Sequence, residues 1–268
     1  LACGTSQYHT DGVSAPIPSP SATLARAAEL LAAARRGVAF TGAGVSAESG
    51  IRTFRGQDGL WKEHDPYRVA SIDYFRRDPA FYWRVSGERW QTYSRARPNP
   101  GHLALAALEE AGHLAGVVTQ NTDGLHLDAG TRRLVELHGN SRTVRCLDCG
   151  ATEPRPDVQA RLRRELPPRC LTCGGSQMKP EVVFFGEALP SAAMMEAFRL
   201  ARECDLMLIV GSSLQVYPAA DVPQVALERG QPLLIVNDEP TPLDVAATVV
   251  IHGRSGEVLP QLVEAIGT

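Results

Sequence analysis

Residues 38–61 read VAFTGAGVSAESGIRTFRGQDGLW, and the fold is decided there. Val38, Ala39 and Phe40 form a short apolar run with the length and composition of a buried strand. Gly42, Ala43 and Gly44 follow, with Ala47 three residues on. This is the G-x-G-x-x-A spacing that joins a strand to a helix around a dinucleotide pyrophosphate. Gly42 permits the tight turn, Gly44 lets backbone N–H groups reach phosphates with no Cβ in the way, and Ala47 lets the helix lie close to the sheet. Unpaired N–H groups at the helix start attract an anion. Ser49-Gly50-Ile51 should end that helix early. Thr53-Phe54-Arg55-Gly56 then place a hydroxyl, an aromatic ring and a guanidinium on a loop beside the phosphate site. One feature of a dehydrogenase domain is missing, because no acidic residue ends a second strand about 20 residues on. Glu63 and Asp65 fall in a polar stretch instead.

The 268 residues suffice for one large domain or for one with a smaller domain inserted. A net charge of -3 and the lack of a basic stripe argue against direct nucleic-acid binding. The longest apolar runs, such as residues 206–210, are far too short to span a bilayer, so no membrane partner is expected. Residues 1–20, rich in Ser, Pro, Gly and Thr, read as an unstructured leader. Nothing in the sequence sets an oligomeric state.

Beyond the leader, Ser21 is expected to cap a helix whose Leu24, Ala28, Leu31 and Ala34 share a face, with Gly37 ending it. Residues 62–97 alternate aromatics with charges and read as a small helical insertion whose rings are core. A helix over 102–111 and a strand over 116–119 follow. The strand runs into Gln120-Asn121-Thr122-Asp123, where an open α/β sheet places ligand-binding groups. Asn121 and Asp123 are functional candidates, or members of an Asx-turn or helix cap. Residues 134–137 form another strand, ending at His138-Gly139; His138 suits a general base, and His126 competes for that role. Residues 182–185, Val-Val-Phe-Phe, read as a core strand that ends near Gly186 and can pair with an extended peptide. Strands at 205–210 and 233–236 end in Gly211-Ser212-Ser213 and in Asn237, and helices are expected over 191–203, 218–228 and from Gly253 to about Ile266. The alternation of strand and helix predicts a doubly wound parallel sheet.

Cys146-x-x-Cys149 and Cys170-x-x-Cys173 stand apart from this pattern, with 20 residues between the pairs. Four thiolates so spaced form two knuckles around one tetrahedral zinc ion. Four sulfur ligands close the site to water and substrate, so the zinc is structural and supplies folding energy to a segment poor in apolar residues. Such thiolates belong to a reducing compartment, and a cytoplasmic location is expected.

In this combination, GAGVSAESGI, TFRG, TQNTDGLH, His138-Gly139, the two cysteine pairs, VVFFGE, GSSLQVYP and Val236-Asn237, the chain resembles the sirtuins, NAD-dependent protein lysine deacylases, of prokaryotic type. The likeness spans residues from about 21 to the C-terminus. It implies a Rossmann-like NAD-binding domain over 21–62, 98–144 and 179–268, and a small domain made of the helical insertion at 63–97 and a zinc ribbon at 145–178. It implies that Gly42, Ala43, Gly44 and Glu48 line the phosphate and ribose region of NAD, with Thr53, Phe54, Arg55 and Trp61 on a mobile cofactor loop. Gln120, Asn121 and Asp123 would hold ribose and nicotinamide, Asn121 near the chemistry and His138 as the base. Gly211, Ser212, Ser213, Asn237, Glu239 and Ser255 would take the adenosine half. Val182, Val183, Phe185, Gly186 and Glu187 would hold an acyl-lysine peptide.

The implied reaction moves the acyl group from lysine to ADP-ribose and releases nicotinamide. Relatives that take succinyl or malonyl groups carry Tyr and Arg three residues apart in the helical insertion. Here Ser86 and Arg89 fall at those places, so deacetylation is expected as the main activity, with acidic acyl groups as the alternative. NAD hydrolysis or ADP-ribosyl transfer at the same site is a second alternative, and a non-catalytic NAD sensor a third.

Overall fold

The computed structural model describes residues 19–54, 59–63 and 65–267. Arg55 and nearly all of the expected leader lie outside them. Among the described residues there are nine strands: β1 Gly37–Thr41, β2 Leu114–Thr119, β3 Leu134–Glu136, β4 Gly139–Cys146, β5 Thr152–Pro154, β6 Met178–Val182, β7 Leu206–Val210, β8 Leu233–Asn237 and β9 Val249–His252. The α-helices are α1 Pro20–Ala33, α2 Pro66–Ala70, α3 Ile72–Arg77, α4 Pro79–Tyr93, α5 Pro100–Glu110, α6 Leu125–Asp128, α7 Arg155–Arg161, α8 Ser191–Glu203, α9 Asp221–Glu228 and α10 Ser255–Ile266.

Six strands form a parallel sheet in the order β3-β2-β1-β7-β8-β9. The chain winds outward from β1 in one direction and from β7 in the other, so the topology reverses between these two neighbours. β1, β7 and β8 are buried along their whole length, as strands covered by helices on both faces must be. Side chains alternate between the faces. Ala39 and Leu208 point towards α1, α5 and α10 and meet Leu31, Leu105 and Leu259. Phe40 and Ile209 point towards α8 and α9 and meet Leu200 and Val222.

The second sheet is antiparallel, β5-β4-β6. It shares one core with the helical insertion, in which Phe75, Tyr82 and Trp83 pack on Val144, Val158 and Met178. Trp83 Nε1 also donates to the Met178 carbonyl at 2.8 Å. This ladder runs from Gly139 to Val182 and so reaches past the cysteine segment on both sides.

Several boundaries differ from expectation. Ser19, not Ser21, caps α1, because Pro20 takes the first helical position and Ser19 Oγ accepts from Ala22 N. The segment after β1 is a 3-10 helix over Ala43–Ser49, stopped by Gly50 at φ 81°. The strand expected over 182–185 lies over Met178–Val182 instead. Val183 to Phe185 leave it because the Phe184 N–H is taken by the Glu187 carboxylate and Phe185 pairs with the Ala70–Ile72 backbone. No helix of the described residues is long and apolar enough to cross a membrane.

Candidate active site and zinc centre

In an open α/β sheet the ligand crevice lies beyond the strand ends at the point where the order reverses. Here that point is between β1 and β7, and the turns after both strands meet there. Gly44 N donates to Gly211 O at 2.8 Å. A Cβ on Gly44 would lie 2.7 Å from Gly211 Cα, and one on Gly211, whose φ is 60°, would lie 2.3 Å from Val45 N. Both glycines are therefore required by contact of turn with turn. Their joint surface forms the floor of a cavity of about 1270 Å³. That exceeds the roughly 300–1,000 Å³ usual for one small ligand, and leaves space for a dinucleotide and a second reactant.

The cavity gathers most of the residues singled out in the sequence. Gly42, Ala43, Gly44, Glu48, Thr53, Phe54 and Trp61 line it, and so do Gln120 and Asn121. Gly211, Ser212, Ser213, Asn237, Glu239 and Ser255 line it from the β7 and β8 side. The far wall carries Val182, Val183, Phe185, Gly186, Glu187, Ser86 and Arg89. Asp123 does not line the cavity. Its carboxylate accepts from Leu125 N at 2.9 Å, an Asx-turn, and from Ser46 Oγ at 2.8 Å, and burial raises its pKa. Glu48 is also engaged, accepting from Gly256 N at 2.7 Å at the start of α10.

Asn121 ties the turns together. It is 8 % exposed, and its amide donates to Gly42 O and to Ser46 Oγ, each at 3.1 Å. Gln120 Nε2 donates to Ser212 Oγ at 2.9 Å, bracing β2 against β7.

Of the two competing histidines, His138 lines the cavity. Its Nδ1 lies 3.0 Å from the Gln120 carbonyl. A carbonyl only accepts, which assigns the proton to Nδ1 and leaves Nε2 with a free lone pair. Burial lowers its pKa, so the ring is neutral at pH 7. His126 is 1 % exposed, its Nε2 lies 2.9 Å from Thr41 Oγ1, and burial lowers its pKa to about 3. It is a core residue. Val183 N donates to His138 O at 2.9 Å, so His138 and the Val182–Val183 wall share one ladder end.

Aromatic rings cover the cavity mouth. Phe54 stacks on Trp61 at 5.2 Å, Trp61 lies 6.2 Å from Phe185, and Tyr67 lies 5.4 Å from Phe185. Two residues of the site carried no signal in the sequence. Lys179, buried, pairs with Glu187 at 2.8 Å and closes the loop that carries Val183 and Phe185. Arg155, also buried, reaches the cavity from α7. Arg155 is followed by the exposed Arg163, Arg164 and Arg169, and Lys179 stands among residues of no recognisable motif, so type and spacing alone do not mark either.

The four cysteines form a separate centre. Cys146 and Cys173 sulfurs lie 3.6 Å apart, Cys149 and Cys170 sulfurs 3.7 Å apart, and all four lie within 4.8 Å of one another. Zinc–sulfur bonds of about 2.3 Å in a tetrahedron give sulfur–sulfur edges of about 3.8 Å. The donor set thus fits one structural zinc ion. Gly150 and Gly174, at φ 78° and 73°, turn the two knuckles, and Thr172 N and Gly175 N donate to Cys170 and Cys173 sulfurs.

A parallel sheet with a crevice at its switch point, joined to a four-cysteine ribbon, defines a dinucleotide-binding α/β protein with a zinc module. A Sir2 family model matches residues 42–218. The chain is 48% identical over 241 residues to "NAD-dependent protein deacylase 2" of Archaeoglobus fulgidus, covering 90% of this chain and 95% of that one. It is 49% identical over 254 residues to the "NAD-dependent protein deacetylase" of Haloarcula marismortui, covering 91% and 95%. A solved structure from work on the mechanism and regulation of Sir2 enzymes superposes with a TM-score of 0.87 at 47% identity, over 92% of this chain and 98% of that one. The chain belongs to the Sir2 family.

Proposed function

We propose that the protein is an NAD-dependent protein lysine deacylase that converts acyl-lysine, NAD and water into lysine, nicotinamide and O-acyl-ADP-ribose. The observation that carries this reading is the cavity itself, in which the unprotonated Nε2 side of His138 shares one space with the paired glycine turns and the Val182–Gly186 wall. When bound, NAD supplies a sugar carbon whose leaving group departs as neutral nicotinamide. The cradle at Gly42, Gly44 and Gly211 holds its phosphates, and Ser212, Ser213 and Asn237 take the adenosine half. Asn121, its amide already shared between Gly42 O and Ser46 Oγ, positions the turn against which nicotinamide lies. The Val182 to Phe185 segment orients the acyl-lysine, and the Phe54–Trp61 pair excludes water. His138 Nε2 accepts a proton from a ribose hydroxyl, a step suited to a base whose pKa lies at or below neutrality.

The lowered pKa of His138 places the acid limb of kcat/KM below pH 6.5. The separate cores of the two sheets support a division into an NAD-binding domain and a small domain, but with other bounds than 144 and 178: β4 and β6 belong to the small domain, since Val144, Val182 and Phe184 pack in the core of the helical insertion. A cytoplasmic location is supported by the thiolate cluster, which needs a reducing compartment. Mass spectrometry of the sugar product after incubation with NAD and an acetyl-lysine peptide tests the reading. Acyl-ADP-ribose is expected, and free ADP-ribose or labelled peptide alone would replace deacylation by hydrolysis or ADP-ribosyl transfer.

A further inference from the structure

Residues 179–187 read KPEVVFFGE, and their strand formers would carry β6 on to residue 185. In a continuing strand Lys179 and Glu187 would lie about 26 Å apart, at about 3.3 Å per residue. Instead Lys179 Nζ lies 2.8 Å from Glu187 Oε2. The chain folds back here, and the Lys179 side chain fills the fold. It is 6 % exposed and does not line the cavity. Its ammonium has three N–H groups to place. Three oxygens surround it: Glu187 Oε2, Val182 O at 2.6 Å and Pro180 O at 3.3 Å. The Phe184 ring lies against the same group, its centre 4.3 Å from Nζ. Glu187 Oε2 also accepts from Phe184 N at 2.7 Å. One oxygen of a carboxylate expected to hold the acyl-lysine peptide is thus engaged by its own chain.

Three ties hold the wall from Val182 to Glu187. Val183 N donates to His138 O at 2.9 Å. Phe185 N donates to Ala70 O at 2.8 Å, and Phe185 O accepts from Ile72 N at 3.0 Å. Both of these ties run from backbone to backbone and do not depend on a side chain. The third is the Lys179–Glu187 pair, which sets the curvature of the segment between them and its return. A buried charge that loses its partner is left uncompensated, so this tie fails as a unit when either side chain is replaced. Among the described residues, the Val183 carbonyl and both backbone groups of Gly186 have no partner within the chain. Groups of that kind are what an extended peptide pairs with.

We infer that Lys179 is a positioning residue for the peptide substrate. Through Glu187 it fixes the spacing of the Val183 and Gly186 backbone groups, and so sets the affinity for acyl-lysine peptide without touching it. The glycine turns that hold the cofactor phosphates are formed at the ends of β1 and β7, away from this pair, so NAD binding does not depend on it. The inference rests on the deacylase reading and adds to that site a residue from outside the cavity.

Initial rates of nicotinamide release, with an acetyl-lysine peptide and NAD varied in turn, test it. Lys179→Met keeps most of the side chain's length and removes its charge. It should raise KM for the peptide by about 10- to 100-fold, the loss of a hydrogen bond between charged groups. KM for NAD and kcat at saturating peptide should stay within about threefold of the wild type, as when binding alone is lost. Glu187→Gln should act in the same direction to a smaller extent. The double variant should be no worse than Lys179→Met, because the two side chains act as one unit. Lys179→Arg, which keeps the charge, should recover part of the loss. A folded, zinc-loaded Lys179→Met in which kcat and both KM values fail together overturns the inference, since a lysine that merely supports the fold behaves that way. So does a double variant whose losses multiply, which would put Glu187 on the peptide independently of Lys179. If Lys179→Met does not fold, Glu187→Gln decides on the same readouts. A wild type that releases no nicotinamide with acyl peptides overturns this inference and the deacylase reading together. An active wild type, with peptide KM unchanged in the variants, removes the role of Lys179 alone.

Discussion

The two sheets of this molecule are held by different forces. The six-stranded sheet lies between two apolar cores, and β1, β7 and β8 are buried from end to end. The three-stranded sheet has β4 with a burial pattern interrupted at most positions, β5 exposed at two of three residues, and a metal centre at its far end. The first is stable through area removed from water, the second through a handful of aromatic contacts and four thiolates. The cavity lies where they meet, and His138 follows β3 of one sheet and precedes β4 of the other.

The largest expected effect follows from that contrast. Structural zinc sites contribute on the order of 10–16 kcal/mol of binding free energy to folding. Chelation, or Cys170→Ser, should therefore release amide protection across residues 139–182 and abolish activity. β1, β7 and β8 should keep theirs. Hydrogen exchange read by mass spectrometry checks this, and simultaneous loss of protection in both sheets would mean that the two regions are one cooperative unit.

Next in size is His138→Ala. Loss of a general base costs about 10²- to 10⁴-fold in rate. His138 lies at the joint and contributes little to either core, so NAD affinity and melting temperature should hardly change. Calorimetric titration with NAD beside a nicotinamide-release assay checks the split. A variant that loses binding and activity together would make His138 a structural hinge rather than a base.

How far each region was legible in the sequence follows the same division. β1, β2, β7 and β8 were recognised because strands buried on both faces are continuous apolar runs, such as Leu206–Val210. The glycine turns and the cysteine pairs were recognised because their spacing is dictated by backbone geometry and by zinc. β4, reading GNSRTVRC, went unnoticed because Val144 is its single aliphatic residue and its pairing is made by backbone and metal. Val-Val-Phe-Phe was misplaced as a strand because a run of β-formers does not show that Glu187 captures the Phe184 N–H. Asp123 stays open in the sequence between ligand and Asx-turn, because both uses put the same residue type just past a strand; the structure shows the Asx-turn.

Acid should act on the large region through residues that chelation does not touch. His102 and His126 lie edge to face at 5.0 Å beneath the glycine turn. Burial lowers His102 to about 4, and burial together with the His102 charge lowers His126 to about 3. Both folded values lie below the unfolded value of about 6.5, so between them the unfolded chain binds more protons. The stability they confer is complete above pH 6.5 and is lost as pH falls towards 4 and then 3. At pH 5 each costs about 2 kcal/mol relative to pH 7. Asp123, whose pKa is raised by burial, opposes this trend by taking up a proton in the folded state. Urea midpoints at pH 7 and 5 should differ in the wild type, and the difference should shrink by about half in His102→Gln, because His126 stays buried. An unchanged pH slope in that variant would show that the pair is not what acid attacks.

The smallest effect separates two serines that composition cannot tell apart. Ser19 and Ser21 flank Pro20, and either has the hydroxyl a helix start needs. Pro20 decides between them: its fixed φ suits the first helical position, and it lacks the N–H that would be orphaned there. That pushes the cap back to Ser19, whose Oγ accepts from Ala22 N at 3.3 Å. Ser21 then lies within the helix. Ser19→Ala should lower stability by about 1 kcal/mol. Ser21→Ala should be neutral or slightly stabilising, because alanine is the better helix former inside the first turn. Because α1 packs on the large sheet through Ala27 and Leu31, the loss in Ser19→Ala should appear in protection of β1 and leave residues 139–182 unchanged. A cost at Ser21 equal to that at Ser19 would move the start of the helix, and with it the proline's place in the first turn.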